Sequence, residues 1–170
     1  MESVTEIEVP QQPRWYWAAL GVMVRNHYRS VEPKYTQCRL AELLLGRHGC
    51  CDDIKTCDTD YEVEATLRQL NHLGRVNAGG LDLITGDNEL ARGNMVIFQF
   101  KVKKSGGIPR IRILLHCAEA AAPEGEGPVP IVYSVQLGDL QTGRIETLEL
   151  DYPAKICPDC ETHYITAARK

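Results

Sequence analysis

The chain of 170 residues has the length of one ordinary domain, and its content of 44% hydrophobic and 25% charged residues is typical of a globular protein. The formal net charge of −4 argues against non-specific binding to nucleic acid or to an anionic membrane, and no apolar run approaches the roughly 18 residues that a membrane span needs. The acidic, polar start MESVTEIEVPQQP lacks the basic and apolar regions of a signal peptide, so we expect a cytoplasmic protein, or one exported without a classical signal peptide.

Three helices are predicted in the first half of the chain. The first covers residues 15–28, whose apolar side chains recur at helical spacing after an extended N-terminal arm. The second is predicted between Thr36, a favourable N-cap, and Gly46, a typical C-terminal stop. The third is predicted to follow Asp60 as its cap and to end at Gly74.

The second half of the chain has the alternating pattern of β-strands. Strands are predicted in NMVIFQFKVKK, IPRIRILLHC, IVYSVQL and RIETLELDY, with a last strand in THYIT and a flexible loop in AEAAAPEGEGPVP. Helices followed by an antiparallel sheet predict an α+β fold. We expect a single domain over residues 1–170, with a helical part at about 13–76 and a sheet part at about 94–167.

Seven cysteines are a high count, and an odd number cannot pair completely within the chain. Without a signal peptide, free thiols or a metal site are expected rather than a disulfide framework. Cys157 and Cys160 have zinc-knuckle spacing, but a strong zinc signal needs a second such pair, so no metal and no other cofactor is predicted. Cys50, Cys51 and Cys57 are predicted to be structural, and Cys51 is close enough in sequence to Cys57 to bridge the loop between the second and third helices.

The order of the second and third helices before a strand also fits a winged-helix DNA-binding regulator, which we keep as an alternative. The third helix offers Arg68, Gln69 and Asn71 for contacts with DNA, among three acidic residues. A nucleic-acid module normally presents a basic face, and this chain is acidic. We therefore do not predict that this protein binds nucleic acid.

Several stretches, taken in chain order, resemble one family. VPQQPRWYWAALGVMVRNHY resembles the nucleophile segment of a bacterial branch of papain-like cysteine peptidases, where a Gln precedes Trp-Cys-Trp-Ala-Ala. That branch is related to bacteriocin-processing peptidase domains and to plant-pathogen effector proteases. TQCRLAELLLGRHGCC resembles its Thr-Gln-Cys helix and Cys-Cys loop, and ATLRQLNHLGRV, ARGNMVIFQF, GDLQTG and THYIT resemble its later segments. The resemblance implies a papain-like fold, with N-terminal helices packed on a C-terminal antiparallel sheet, and it implies that Cys38 is structural.

The catalytic positions of that family are replaced in this chain. Tyr16 stands where the family has its nucleophilic cysteine, and a phenol with a pKa near 10 does not substitute for a thiolate. Pro109, or Ile108 next to it, stands where the family has its general-base histidine. The resemblance therefore implies that no intact catalytic residue remains.

The other two site positions are matched in part. Asp139 corresponds to the acid that orients the histidine, and Gln11, or Gln12, corresponds to the oxyanion-hole glutamine. The predicted function is that of a pseudo-peptidase, a non-catalytic subunit that binds a protein or peptide in the former cleft. Arg110 and Arg112, predicted to be exposed beside the cleft, would suit an acidic partner, and an active peptidase paralogue is one candidate.

A second alternative is an active cysteine peptidase with a relocated nucleophile. Cys38 lies near a predicted helix N-terminus, where a thiolate is favoured. His116 and Cys117 are neighbours on a predicted strand, so their side chains point to opposite faces and cannot form a dyad.

Overall fold

The computed structural model describes residues 6–29, 34–104, 106–120 and 130–168, so most of the predicted acidic loop lies outside the described residues. The fold is mixed α+β. The α-helices in these ranges are α1 (Tyr16–Tyr28), α2 (Gln37–Leu45), α3 (Val63–Gln69) and α4 (Leu83–Ala91), with a 3-10 turn over Ile54–Cys57. The strands are β1 (Leu73–Ala78), β2 (Leu81–Asp82), β3 (Val96–Gln99), β4 (Ile111–Glu119), β5 (Val132–Asp139), β6 (Ile145–Asp151), β7 (Lys155–Ile156) and β8 (Thr162–Thr166).

Six of the strands form one antiparallel sheet in the order β1-β8-β3-β4-β5-β6, and β2 pairs with β7 in a separate ladder. A bulge between Leu114 and His116 shifts the register of β4 against β5. Because of this bulge, Cys117 is buried on the same sheet face as Leu114, whereas His116 is exposed.

The large sheet is covered on both faces. One face presents Ile97, Ile111 and Ile113 to a core that α1, α2 and α3 complete. The other face presents Phe98 and Leu137 to a second core shared with α4 and the β2–β7 ladder. The alternating side chains of the central strands therefore meet protein on both sides, which explains the continuous burial of β3.

Helix α1 lies deepest among the helices, with every residue from Tyr16 to Arg25 buried. Gly21 permits the close approach of α2, since a Cβ there would lie 2.4 Å from Cδ2 of Leu40. The first core is thus built around a helix that has no exposed face over its first ten residues.

The helix boundaries agree with the sequence at α2 and differ at α3. Thr36 is the N-cap of α2 and Gly46 follows it in the left-handed conformation (φ 61°), as predicted. Helix α3 begins after Glu62 rather than Asp60, because the Asp60 carboxylate pairs with Arg14 instead. The helix ends at Gln69, and the predicted boundary of the helical part near residue 76 falls inside β1.

One disulfide joins α2 to the loop that follows it, and a second closes that loop on itself. Cys38 bonds to Cys51, and Cys50 bonds to Cys57. The predicted Cys51–Cys57 bridge is therefore wrong, and so is the expectation of free thiols or a metal for these four residues. Cys50 and Cys57 point into the first core, which leaves the outward-facing Cys51 to meet Cys38 in the first turn of α2.

Candidate functional site

The N-terminal arm, residues 6–13, is fixed by the buried side chain of Gln37 at the start of α2. Its Nε2 donates to Oε1 of Glu8 at 2.8 Å and to the carbonyl of Val9 at 2.7 Å. Its Oε1 accepts from the backbone N–H of Gln11 at 2.9 Å. One fully buried amide thus satisfies three partners in the arm and sets the arm's course toward α1.

The aromatic start of α1 is bound to the disulfide loop, as two indole hydrogen bonds show. The indole N–H of Trp15 donates to the carbonyl of Cys57 at 2.8 Å, and that of Trp17 donates to the carbonyl of Thr59 at 2.9 Å. The backbone N–H of Arg14 donates to the Asp58 carboxylate at 3.0 Å. The Cys50–Cys57 disulfide therefore positions the beginning of α1 as well as its own loop.

Tyr16, the first residue of the longest described helix, is buried in the first core. Burial raises the pKa of Tyr16, and the nearby Asp60 carboxylate raises it further, while a hydrogen bond from the backbone of Tyr61 opposes the shift. The hydroxyl therefore lies beside the loop before α3 and stays protonated at neutral pH.

Asp139, at the end of β5, is buried and has both carboxylate oxygens occupied. Oδ2 accepts from Nε of Arg110 at 2.8 Å. Oδ1 accepts from the backbone N–H of Gln141 and from the N–H and hydroxyl of Thr142, each at 3.1 Å. Burial alone would raise the pKa of Asp139, but the hydrogen bonds from Arg110 and Thr142 outweigh it and lower the pKa.

Gln141 connects the turn after β5 to the start of β4. Its Nε2 donates to the carbonyl of Pro109 at 2.6 Å, and its Oε1 accepts from the N–H of Ile111 at 3.2 Å. The segment that enters β4 is therefore held on both sides of Arg110 by one side chain.

A pocket of about 500 Å³ lies between the arm, the entry to β4 and the turn after β5. Its apolar wall is formed by three prolines and an isoleucine: Pro10, Pro13, Pro109 and Ile108. Its polar lining includes Gln12, Arg110 and Asp139. Prolines make this wall stiff because their φ angle is fixed, so the pocket is shaped before any ligand arrives.

Five of the positions singled out in the sequence thus line one pocket: Gln12, Ile108, Pro109, Arg110 and Asp139. Gln11 is an exposed residue whose N–H is used by Gln37, and Tyr16 does not line the pocket. Sequence reasoning missed Gln37 and Gln141, the two buried or half-buried amides that position the walls. The Thr-Gln-Cys and GDLQTG stretches contain them, but neither stretch indicates the partner of its glutamine.

Arg110 and Arg112 differ in exposure, contrary to the prediction of two exposed cations. The Arg110 side chain is 55% exposed at the pocket, whereas that of Arg112 is only 18% exposed and pairs with Glu146 at 3.1 Å. Arg112 lies on the sheet face that the β2–β7 ladder covers, next to Cys157, which explains its burial. One cation rather than two is therefore available to a ligand of the pocket.

The free cysteines of the described residues are Cys117, Cys157 and Cys160. Burial raises the pKa of Cys117 to about 11, that of Cys157 to about 12 and that of Cys160 to about 11. All three are therefore thiols at neutral pH, and Cys38 is committed to a disulfide. The described ranges contain no group of three or more His, Cys, Asp or Glu residues that could hold a metal ion.

Among the described lining residues of the pocket the ionisable side chains are Arg110 and Asp139, and these two pair with each other. No family model and no curated protein matches this chain. None of the helices in the described ranges is long and apolar enough to cross a bilayer.

Proposed function

We propose that this protein is a catalytically inactive homologue of the papain-like cysteine peptidases that binds a peptide segment of a partner protein without cleaving it. The observation that carries the proposal is the pocket between the arm and β4, lined by Gln12, Pro109 and Asp139. These residues occupy positions where the resembled family has its oxyanion glutamine, general base and orienting acid. A concave site is present there, but no histidine lines it that could act as a general base.

The pocket lining favours a ligand with an apolar side chain next to a carboxylate. Ile108 is 40% exposed and offers apolar contact beside the proline wall. Arg110 uses Nε for Asp139, so its two terminal amino groups are free to meet an acidic group of the ligand. Burying one aliphatic side chain contributes about 1.5–3 kcal/mol, which strengthens binding by about tenfold to a hundredfold relative to a ligand without that side chain.

The two disulfides favour the exported alternative for the location of the protein. Disulfides persist in oxidising compartments and are rare where glutathione keeps thiols reduced. We therefore place the binding function outside the reducing cytosol, with a partner that is accessible there.

The test is a selection of random peptides displayed on phage against the purified protein, followed by titration of the enriched peptides by fluorescence polarisation. Ile108→Asp is expected to weaken binding by about tenfold or more, because it puts a charge on the apolar wall. Ile145→Asp is the matched control, since Ile145 is 50% exposed on β6 and outside the pocket lining. It should bind as the parent does.

Three outcomes contradict the proposal. The selection enriches no peptide, or the enriched peptides bind Ile108→Asp and the parent equally well, or mass spectrometry shows that the parent cleaves the bound peptide. The third outcome would favour a peptidase with a relocated nucleophile.

A further inference from the structure

The CPDC segment after β7 is a tight turn with a thiol at each end. The backbone N–H of Cys160 donates to the carbonyl of Cys157 at 3.1 Å, which closes a four-residue turn. The Cα atoms at the ends of such a turn lie within about 7 Å, and disulfides join Cα atoms at about 4.4–6.8 Å. The turn therefore brings the two cysteines within the Cα spacing that a disulfide needs, and rotation of the Cys160 side chain away from Gly79 would bring the sulfurs together.

The backbone at Cys157 is unusual for its residue type. Cys157 has φ 47°, and Asn71 is the other non-glycine residue of the described ranges with a positive φ. Asparagine tolerates this conformation, and glycine adopts it freely, whereas a cysteine gains nothing from it. The backbone at one end of the turn is thus held in a conformation that its residue type does not favour.

The surroundings hold the turn in place. The Cys160 thiol donates to the carbonyl of Gly79 at 2.9 Å. A Cβ on Gly80 would lie 2.6 Å from the carbonyl oxygen of Ile156, so the chain before β2 packs directly against the start of the turn. The two thiols are thus presented by a fixed backbone, and neither belongs to the pocket lining.

Arg112 supplies a cation next to the half-buried Cys157. Its guanidinium lies close enough to oppose the rise in the Cys157 pKa that burial causes, and it pairs with Glu146, while its Nε is buried without a hydrogen-bond partner in the described part of the chain. A guanidinium in this position stabilises a thiolate as it forms. Cys157 is more accessible than the buried Cys160, so an external reagent reaches Cys157 first.

We propose that Cys157 and Cys160 form a reversible dithiol–disulfide site that exchanges with low-molecular-weight disulfides such as oxidised glutathione. Cys157 gives up its proton, and its sulfur bonds to one glutathione sulfur while the glutathione disulfide breaks and leaves as a thiolate that takes up a proton. Cys160 then loses its proton and attacks the Cys157 sulfur, which releases the second glutathione as a thiol. Two protein thiols are oxidised to one disulfide, and one glutathione disulfide is reduced to two thiols.

The site accounts for the odd cysteine count of the chain. With Cys38–Cys51, Cys50–Cys57 and the proposed bond, the unpaired residue is Cys117. Cys117 is buried, and its thiol donates to the carbonyl of Leu83 at 3.4 Å. It is therefore out of reach of the exchange reaction.

The exchange is expected to be slow at neutral pH and faster in alkali. Burial raises the pKa of Cys157 to about 12. At any pH below that value, the thiolate fraction therefore rises about tenfold for each unit by which the pH increases. Between pH 7 and pH 9 the oxidation rate should therefore rise by about a hundredfold.

The experiment uses the purified full chain in glutathione buffers of increasing oxidised fraction, quenched with acid, alkylated and mapped by mass spectrometry. We expect the peptide with Cys157 and Cys160 to lose two hydrogen atoms and to resist alkylation until it is reduced. Cys160→Ser should accumulate a glutathione adduct at Cys157, because no second thiol displaces it. Arg112→Gln should slow the reaction several-fold, and Arg144→Gln, an exposed control, should not.

The proposal is overturned if both thiols of the unaltered chain remain alkylatable in fully oxidised glutathione at pH 9. It is also overturned if each of the two cysteines retains its own glutathione adduct. These readouts come from the unaltered chain, so they do not depend on whether a variant folds, and neither depends on the proposed peptide-binding function.

Discussion

The side-chain nitrogen of Gln141 donates to the carbonyl oxygen of Pro109 at 2.6 Å, and through this bond the turn after β5 fixes one wall of the pocket. The same side chain accepts from the N–H of Ile111, so it satisfies a donor and an acceptor of the segment entering β4. The shape of the pocket at Pro109 therefore depends on a residue that sequence reasoning did not single out.

Gln141→Ala is expected to lower the free energy of unfolding by about 1–3 kcal/mol, because it leaves two half-buried backbone groups unpaired. Thr147→Ala, on the exposed surface of β6, is the control and should change it by less than about 0.5 kcal/mol. Urea denaturation of the three proteins measures the difference. Equal stability of Gln141→Ala and the parent would show that water replaces the amide without cost.

Asp139 should make the stability of the protein depend on pH in the acidic range. The pKa of Asp139 is lowered from its ordinary value of 3.8, so folding favours the carboxylate. The stabilisation is fully present above that ordinary value and is lost as the pH falls through the lowered folded-state pKa. Asp139→Asn is expected to cost about 1–3 kcal/mol at pH 7 and much less near pH 2.

Urea denaturation of the parent and of Asp139→Asn at pH 7 and at pH 2 measures the difference in their free energies of unfolding at each pH. Asp159→Asn, at an exposed position of the CPDC turn, is the control. A cost for Asp139→Asn that stays constant from pH 7 to pH 2 would show that the carboxylate charge does not stabilise the turn.

The two disulfides should open in a fixed order under mild reduction. Cys51 is exposed and Cys38 is half-buried, whereas Cys50 and Cys57 are 0% and 2% exposed. A thiol reagent therefore reaches the Cys38–Cys51 bond first, and opening this loop should cost about 3 kcal/mol of stability. Differential alkylation followed by mass spectrometry reveals the order, and labelling of Cys50 and Cys57 before the other pair would contradict it.

The ends of α2 could be predicted from the sequence, whereas the start of α3 could not. Gly46 acts through its own left-handed backbone, so its residue type suffices to mark the end of the helix, and Thr36 lies at the predicted N-cap position although its side chain makes no capping hydrogen bond. Asp60 has the type of a cap, but it pairs with Arg14, 46 residues earlier. Strand β1 also escaped prediction, since it is an exposed edge strand without alternation and is defined by its pairing with β8.

The candidate site, like the helices, could be predicted from the sequence only in part. Pro109 and Asp139 could be named from the resemblance of short motifs, and they do line one pocket. The cysteine pairing and the role of Gln37 depend on which segments meet in space, across 26 residues in the contact of Gln37 with Gln11. No local pattern of residue types contains that information, because two of the three partners of Gln37 are backbone groups of a kind that every residue carries, and the third is the distant Glu8 carboxylate.

Introducing the catalytic cysteine and histidine of the resembled family at positions 16 and 109 should not create a peptidase. Tyr16→Cys combined with Pro109→His supplies a thiol and an imidazole, but Asp139 already accepts hydrogen bonds at both carboxylate oxygens. It cannot orient a new histidine without giving up Arg110 or the turn after β5. Tyr16 itself is not among the residues that line the pocket with Pro109.

The double variant is therefore expected to show no turnover of fluorogenic peptides, including Gly-Gly substrates, above the level of Tyr16→Cys alone. Circular dichroism checks that both variants fold, and alkylation of the new cysteine shows whether it is accessible. Catalytic groups must be held to within about 0.5 Å of the productive geometry. In this chain Asp139 is bound to Arg110 and the backbone at Pro109 is bound to Gln141, so neither position is free to adjust to the new side chains. Efficient hydrolysis by the double variant would mean that the pocket differs from an active site by two side chains alone, and the proposed binding role would lose its structural basis.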